Sequence, residues 1–318
     1  MPEAYPPGNF GRRRDDGDSR LSTEYTQPMR VWLNGAIMDE SEARVSPFDR
    51  GFIFGDGVYE GIRFFNGVGV GMDLHIERLR RSLASIGIRG FDADSLSSIC
   101  DALLADGGLA DAMVYLQVTR GVQSPRQHLP VPGLRPTVFG YAAAAPSLED
   151  LAGPSVRSCI TLEDIRWHRC EIKCTSLLAN VLGVMEADRR GVDEPIFCRN
   201  GLVGEGAMTN VLLVRDGVLV TPPLDGDPPI LHGVTRAIIL DVAPAMVPGG
   251  VDERPVAVDE LHTADEVMIA SSRRLLDSIG RIDGVAIGEG GVGPVATALL
   301  AALKWHLAAA CGMTLHST

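Results

Sequence analysis

A chain of 318 residues, 45% hydrophobic and 22% charged, has room for two domains that each bury a core, which excludes a largely disordered protein. Its net charge of -12 opposes nonspecific attraction to nucleic acid or anionic lipid, and no apolar run is long enough to span a bilayer. Six scattered cysteines without a C-x-x-C pair argue against a zinc ribbon or a disulfide scaffold and fit a reducing, cytoplasmic setting.

Residues 1–28 are rich in Pro, Gly and charge, lack the apolar core of a secretory signal, and read as a flexible tail. The ordered pattern opens at Met29. In "RVWLNGAIM" two apolar runs flank Asn34-Gly35, a strong signal for a hairpin with a type I′ turn, and Asn200-Gly201, Asp216-Gly217 and Asp283-Gly284 repeat it. The repetition predicts largely antiparallel sheets and an α+β fold. Helical periodicity runs through "LHIERLRRSLASIGI", "TSLLANVLGVMEADRRG", "GVTRAIILDVAPAM" and "GPVATALLAALKWHLAAACG". "AAAAPSLEDLAGPS", after the strands "MVYLQVTRG" and "TVFGYAAA", marks the domain boundary. The expected division is a small α/β domain at 29–143, a linker at 144–153 and a larger domain at 154–318. The glycine clusters at 67–71 and 288–293 lack the strand-then-helix order of a dinucleotide site and read as turns.

In "DIRWHRCEIKCTSLLANV", Lys173 stands at the mouth of an apolar helix. A snorkelling side chain would account for it alone. The alternative is an amine held in a pocket, where burial favours the neutral form that attacks carbonyls to give a Schiff base. Thirty-two residues on, "LVGEGAMTN" sets Glu205 in a glycine-lined turn. An exposed turn glutamate is the bland reading there. A Schiff-base lysine, a carboxylate for a pyridinium nitrogen and separate phosphate-binding elements are together what pyridoxal phosphate requires. Gly233, Val234 and Thr235 at a helix N-terminus, Ser271 with Ser272, and Arg78 are candidates for the phosphate. His75, His168 and His232 lack ligand partners at metal spacing, so no metal site is expected.

The ordered motifs "FDRGFIFGDGVYEGIR", "HIERL", "QVTRG", "DIRWHRCEIK", "GEGAMTN" and "HGVTR" make the chain, from about Met29 to the final helix, resemble a class IV (fold-type IV) pyridoxal-phosphate aminotransferase. The resemblance implies a homodimer whose larger domain carries a mainly antiparallel, barrel-like sheet, with the cofactor between the domains. It implies Lys173 as the Schiff-base lysine, Glu205 as partner of the ring nitrogen, and Arg78, Leu231, Gly233, Val234, Thr235, Ser271 and Ser272 as further cofactor contacts. Within the family, Arg126 and His128 in "VTRGVQSPRQHLP", with Tyr59, resemble the grip on the substrate α-carboxylate in D-amino acid transaminases. A guanidinium suits that task because its planar fork matches a carboxylate. A solvated loop is the alternative for that pair.

Two departures stand out. Gly204 and Ala207 replace hydroxyl residues usual beside the Glu-Gly pair, so hydrogen bonds near the ring are lost or supplied elsewhere. Arg273 and Arg274 replace small or hydroxyl residues after the phosphate-binding serine, and Arg273 would favour a second carboxylate unless it turns outward to a surface acid. The expected activity is a ping-pong transamination between a D-amino acid and a 2-oxo acid, with neither nucleic acid nor membrane as partner. The alternatives are a branched-chain L-amino acid or (R)-amine transaminase, an aminodeoxychorismate lyase, or a catalytically retired homologue acting as a binding protein.

Overall fold

The computed structural model describes residues 29–314, so the expected tail at 1–28 lies outside the described residues. The first sheet uses β1 (Arg30–Leu33), β2 (Ala36–Asp39), β3 (Gly57–Phe65), β4 (Val68–Gly69), β5 (Ala112–Thr119) and β6 (Thr137–Ala144), in the order β2-β1-β6-β5-β3-β4. All its pairings are antiparallel. Three helices accompany it: α1 (Arg50–Phe54), α2 (Met72–Ile86) and α3 (Ser95–Gly107). Strand alternation sends Val58, Ile62, Val114, Leu116 and Val118 to one face, where they meet Leu79 and Leu83 of α2 and Leu96, Ile99 and Leu103 of α3.

Downstream come β7 (Val156–Glu163), α4 (Leu178–Arg189), β8 (Glu194–Arg199), β9 (Leu202–Gly206), β10 (Asn210–Arg215), β11 (Val218–Thr221), α5 (Val234–Val242), β12 (Val251–Glu253), α6 (Val258–Thr263), β13 (Glu266–Ser271), β14 (Leu275–Ile282), β15 (Val285–Ala286) and α7 (Pro294–Ala310). The strands run β10-β13-β14-β7-β8-β9, and β9 pairs back on β10 through Asn210 and Glu205, which closes a six-stranded barrel. Period-2 alternation divides β10 between two cores. Val211 and Leu213 fill one with Ile196, Val267 and Ile269, while Leu212 and Val214 pack with Ile239 of α5 and Leu299 and Leu303 of α7.

The four expected hairpin turns are present, with Asn34 at φ 51° and Gly35 at φ 100° as the type I′ geometry requires. The antiparallel expectation holds for most of the barrel, but β7 pairs in parallel with both β14 and β8. Its long connections to these strands leave no turn signal to read. Helix α3 was not expected, although Leu96, Ile99, Cys100, Leu103 and Leu104 are spaced for one buried face. Lys173 does not stand at a helix mouth: α4 begins only at Leu178, and Lys173 lies in a turn where Cys174 N donates to the Ile172 carbonyl at 2.8 Å and Cys174 forms a bridge with Val58. Around the expected linker, Arg63 Nη2 donates to the Pro146 carbonyl and Lys304 Nζ to that of Leu151 at 2.7 Å, while Leu148 is buried in the core beside α5 and α7.

Candidate active site

A cavity of about 410 Å³ opens between the first sheet and the barrel. Lys173 reaches it because its backbone is pinned on both sides: its carbonyl accepts from Tyr59 N at 3.0 Å, and its N–H donates to Ser82 Oγ at 3.3 Å. The ammonium nitrogen lies 4.2 Å from the centre of the Tyr59 ring. Only two lysines occur in the sequence, and the other, Lys304, lies on α7 with its amine bonded to Leu151. No second lysine lines the cavity.

Glu205 is inside strand β9 rather than in a turn. Its glycine neighbours serve close packing, since a Cβ on Gly204 would stand 3.0 Å from the Phe197 carbonyl and one on Gly206 would overlap Thr209 Oγ1. The carboxylate is buried. Oε1 accepts from Arg166 Nη1 at 2.7 Å, and Oε2 accepts from Asn210 Nδ2 at 3.2 Å and Leu231 N at 3.0 Å. Burial pushes the Glu205 carboxyl above its ordinary value, and the Arg166 guanidinium is the strongest force pulling it back. A carboxylate offers about four acceptor positions, so one place on Oε1 stays open.

Arg78 enters the same cavity from α2. Its Nε and Nη2 donate to the two Glu60 oxygens at 2.9 and 2.6 Å, and Nη1 donates to the His232 carbonyl at 2.8 Å. His75 Nδ1 meets Glu60 Oε2 at 2.6 Å. Burial alone would raise the Glu60 carboxyl, but Arg78 and then His75 outweigh it and hold it down at about 2. Burial also lowers His75, and because the Glu60 carboxylate can only accept, Nδ1 is the donor in this pair. Beside Arg78, α5 starts with the N–H groups of Val234 and Thr235 lacking helical acceptors. Gly233 precedes them because a Cβ there would overlap Asn210 Oδ1. Ser271 and Ser272 complete this wall.

An open acceptor on Glu205, N–H groups without helical acceptors at a helix start beside a buried arginine, and a lysine amine in the same cavity fit a flat, phosphorylated pyridine aldehyde. The cofactor candidates therefore come together: Lys173, Glu205, Arg78, Leu231, Gly233, Val234, Thr235, Ser271 and Ser272 all line one cavity with Tyr59. Arg273 is exposed at its edge, next to half-buried Arg274, whose Nη1 lies 3.6 Å from Asp277. Arg126 and His128 do not line the cavity. They are exposed and gathered around Phe54, the guanidinium 4.5 Å from the ring centre and the imidazole 5.3 Å. Arg50 fixes their loop by donating to the carbonyls of Gln127 and His128.

Arg166, Asn210, Glu60 and Glu194 were not foreseen as parts of the site. Glu194 is a buried carboxylate in the cavity wall, accepting from Thr209 Oγ1 at 2.7 Å, and burial pushes it up. Arg166 stood in the motif "DIRWHRC", and the Asp-x-Arg spacing was the only hint that the two side chains interlock.

The profile of the family described as Amino-transferase class IV matches residues 57–282. The chain is 37% identical over 288 residues to the D-alanine aminotransferase of Listeria innocua, covering 89% of this chain and 98% of that one. It is 40% identical over 281 residues to the D-alanine aminotransferase of Bacillus licheniformis, covering 87% and 96%. Among solved structures, the branched-chain aminotransferase of Thermoproteus uzoniensis with norvaline superposes at a TM-score of 0.78, with 28% identity and coverage of 90% and 96%. A fold IV transaminase from Curtobacterium pusillum gives 0.71, with 26% identity and coverage of 86% and 92%.

Proposed function

The chain belongs to the class IV aminotransferases and is a pyridoxal-phosphate-dependent transaminase, and from that premise we propose that its amino donor is a D-amino acid and its acceptor a 2-oxo acid. The observation that carries the reading is Lys173 and Glu205 on one cavity, with a phosphate cradle of Arg78 and the α5 start. The D-preference draws on relatives named as D-alanine aminotransferases at 37% and 40% identity over almost their whole length, and on the Arg126-x-His128 pair.

Each side chain has a task its surroundings suit. Arg78, held by Glu60, and the Val234 and Thr235 N–H groups would hold the phosphate, while Glu205 would keep a proton on the ring nitrogen. Bound pyridoxal phosphate supplies an electron sink that no side chain offers. The Lys173 amine would hold the cofactor through its aldehyde carbon, and the same amine, released when substrate takes its place, would carry the proton of the substrate Cα. Two substrates using one cavity in turn give ping-pong kinetics.

The α-carboxylate grip needs a second copy of the chain. Several large apolar side chains stand exposed, Phe52 at 77%, Leu129 at 80%, Leu178 at 72% and Met208 at 69%. Exposed apolar surface of this kind agrees with a subunit interface. We infer a homodimer in which each Arg126 and His128 serves the partner's cavity. A cytoplasmic setting agrees with six cysteines that are all buried and unbridged. Among the described residues no helix is long and apolar enough to cross a membrane. The deciding experiment offers both enantiomers of common amino acids to the yellow holoenzyme. Bleaching with D-alanine and D-glutamate and not with the L-forms supports the reading; bleaching only with L-leucine, L-valine or L-isoleucine overturns the D-preference.

A further inference from the structure

Glu205 is the near end of a row of alternating charges that runs from the cavity into the protein. Its Oε1 accepts from Arg166 Nη1 at 2.7 Å. The same guanidinium donates through Nε and Nη2 to Oδ1 and Oδ2 of Asp164 at 3.0 and 3.1 Å. Asp164 Oδ2 in turn lies 3.2 Å from Arg199 Nη2. Arg199 closes the row, with Nη2 donating to the Arg166 carbonyl at 3.0 Å and Nη1 3.0 Å from His168 Nδ1. The Asp164 side chain is fully buried, and those of Arg166, Arg199 and Glu205 are nearly so. The Arg166 plane also lies against Phe197, 4.7 Å from the ring centre, which fixes the fork from a third side.

Burying so many charges has a cost, and a row of this length is more than the anchoring of one side chain needs. Where water is excluded, a charge two links away is still felt, because the local dielectric is low. We propose that Asp164 and Arg199, which line no part of the cavity, are positioning residues that set how firmly the ring nitrogen of bound pyridoxal phosphate holds its proton, acting through Arg166 and Glu205. The inference rests on the reading of Glu205 as that nitrogen's partner. Its signature is an alternation of sign. Neutralising Asp164 leaves the Arg166 charge less offset, makes the potential at the nitrogen more positive and loosens the proton. Neutralising Arg199 leaves Asp164 less offset and tightens it. A purely structural role gives no such reversal.

The test compares binding of two probes to the full-length apoenzyme: pyridoxal phosphate, and its deaza analogue with C–H in place of the ring nitrogen. The ratio of the two affinities isolates what the protein does at that atom. Glu205→Gln should abolish the preference for pyridoxal phosphate. Asp164→Asn should lower it by about tenfold, and Arg199→Gln should raise it. If Glu205→Gln abolishes the preference while the other two variants keep the wild-type ratio, the row has no effect at the nitrogen and the proposal is overturned. If Glu205→Gln itself keeps the ratio, the assignment of Glu205 has failed and the proposal falls with it. Should Asp164→Asn not fold, Arg199→Gln decides alone, and an unchanged or lowered ratio overturns the proposal.

Discussion

Replacing Gly233 by alanine probes the joint between Glu205 and the start of α5, the two proposed anchors of the cofactor. Gly233 has φ -67°, so its backbone would accept any residue, and the constraint is steric. A Cβ would overlap Asn210 Oδ1 and stand 3.0 Å from its Cγ. The amide would have to turn away, breaking the bonds from Nδ2 to Glu205 Oε2 at 3.2 Å and to the Leu231 carbonyl at 3.1 Å. A bond to a charged acceptor contributes about 1.5–3 kcal/mol and one to a neutral acceptor about 0.5–1.5 kcal/mol, so the expected loss is about 2–4.5 kcal/mol. Glu205 would keep only Arg166 and Leu231 as donors, and the start of α5 would shift. Gly233→Ala should therefore unfold at lower denaturant concentration as the apoprotein and release pyridoxal phosphate faster as the holoenzyme. A variant within about 0.5 kcal/mol of wild type, with unchanged cofactor release, would refute the steric argument.

Acid titration tests Glu60. Its carboxyl is held at about 2 against an ordinary 4.5, so its contribution is complete above pH 4.5 and fades as pH falls toward 2. Glu60→Gln should lower stability at neutral pH by about 3 kcal/mol and flatten its acid dependence in that window, as chemical unfolding at stepped pH would record. Arg126 is exposed on the single chain, so Arg126→Ala should leave the subunit fold intact by circular dichroism while kcat/KM falls about tenfold to a hundredfold. Mixing it with Lys173→Ala should restore up to about a quarter of wild-type activity, because heterodimers would hold one complete site; no recovery would place Arg126 in its own subunit's chemistry. For Arg273→Ala, the ratio of kcat/KM for D-glutamate over D-alanine should drop about tenfold, and an unchanged ratio would mean that Arg273 does not read the substrate side chain.

Local signals carried much of the fold. The Asn-Gly and Asp-Gly pairs marked hairpins because few other residues take two successive positive φ angles, and α2, α5 and α7 followed their apolar spacing. The closure of the barrel was not legible from spacing, since it depends on Asn210 meeting Glu205 and on parallel pairings of β7, contacts set by tertiary packing. At the site, Lys173, Glu205 and the start of α5 could be named because each belongs to a short motif. Arg166 and Glu60 could not be given roles, because a buried ion pair such as Arg166 with Glu205 joins residues 39 apart in the chain. Arg126 and His128 were legible as a pair, but their spacing carried no sign that the loop would gather around Phe54, apart from the cavity.

Reductive trapping tests the central claim most directly. Borohydride treatment of the yellow holoenzyme, followed by peptide mapping, fixes the cofactor on the amine that carries it, and the chain offers only Lys173 and Lys304. The account predicts a pyridoxyl group on Lys173 alone, with Lys173→Ala folded, unlabelled and inactive. Recovery of the label on Lys304, or a Lys173→Ala protein that still transaminates, would contradict it.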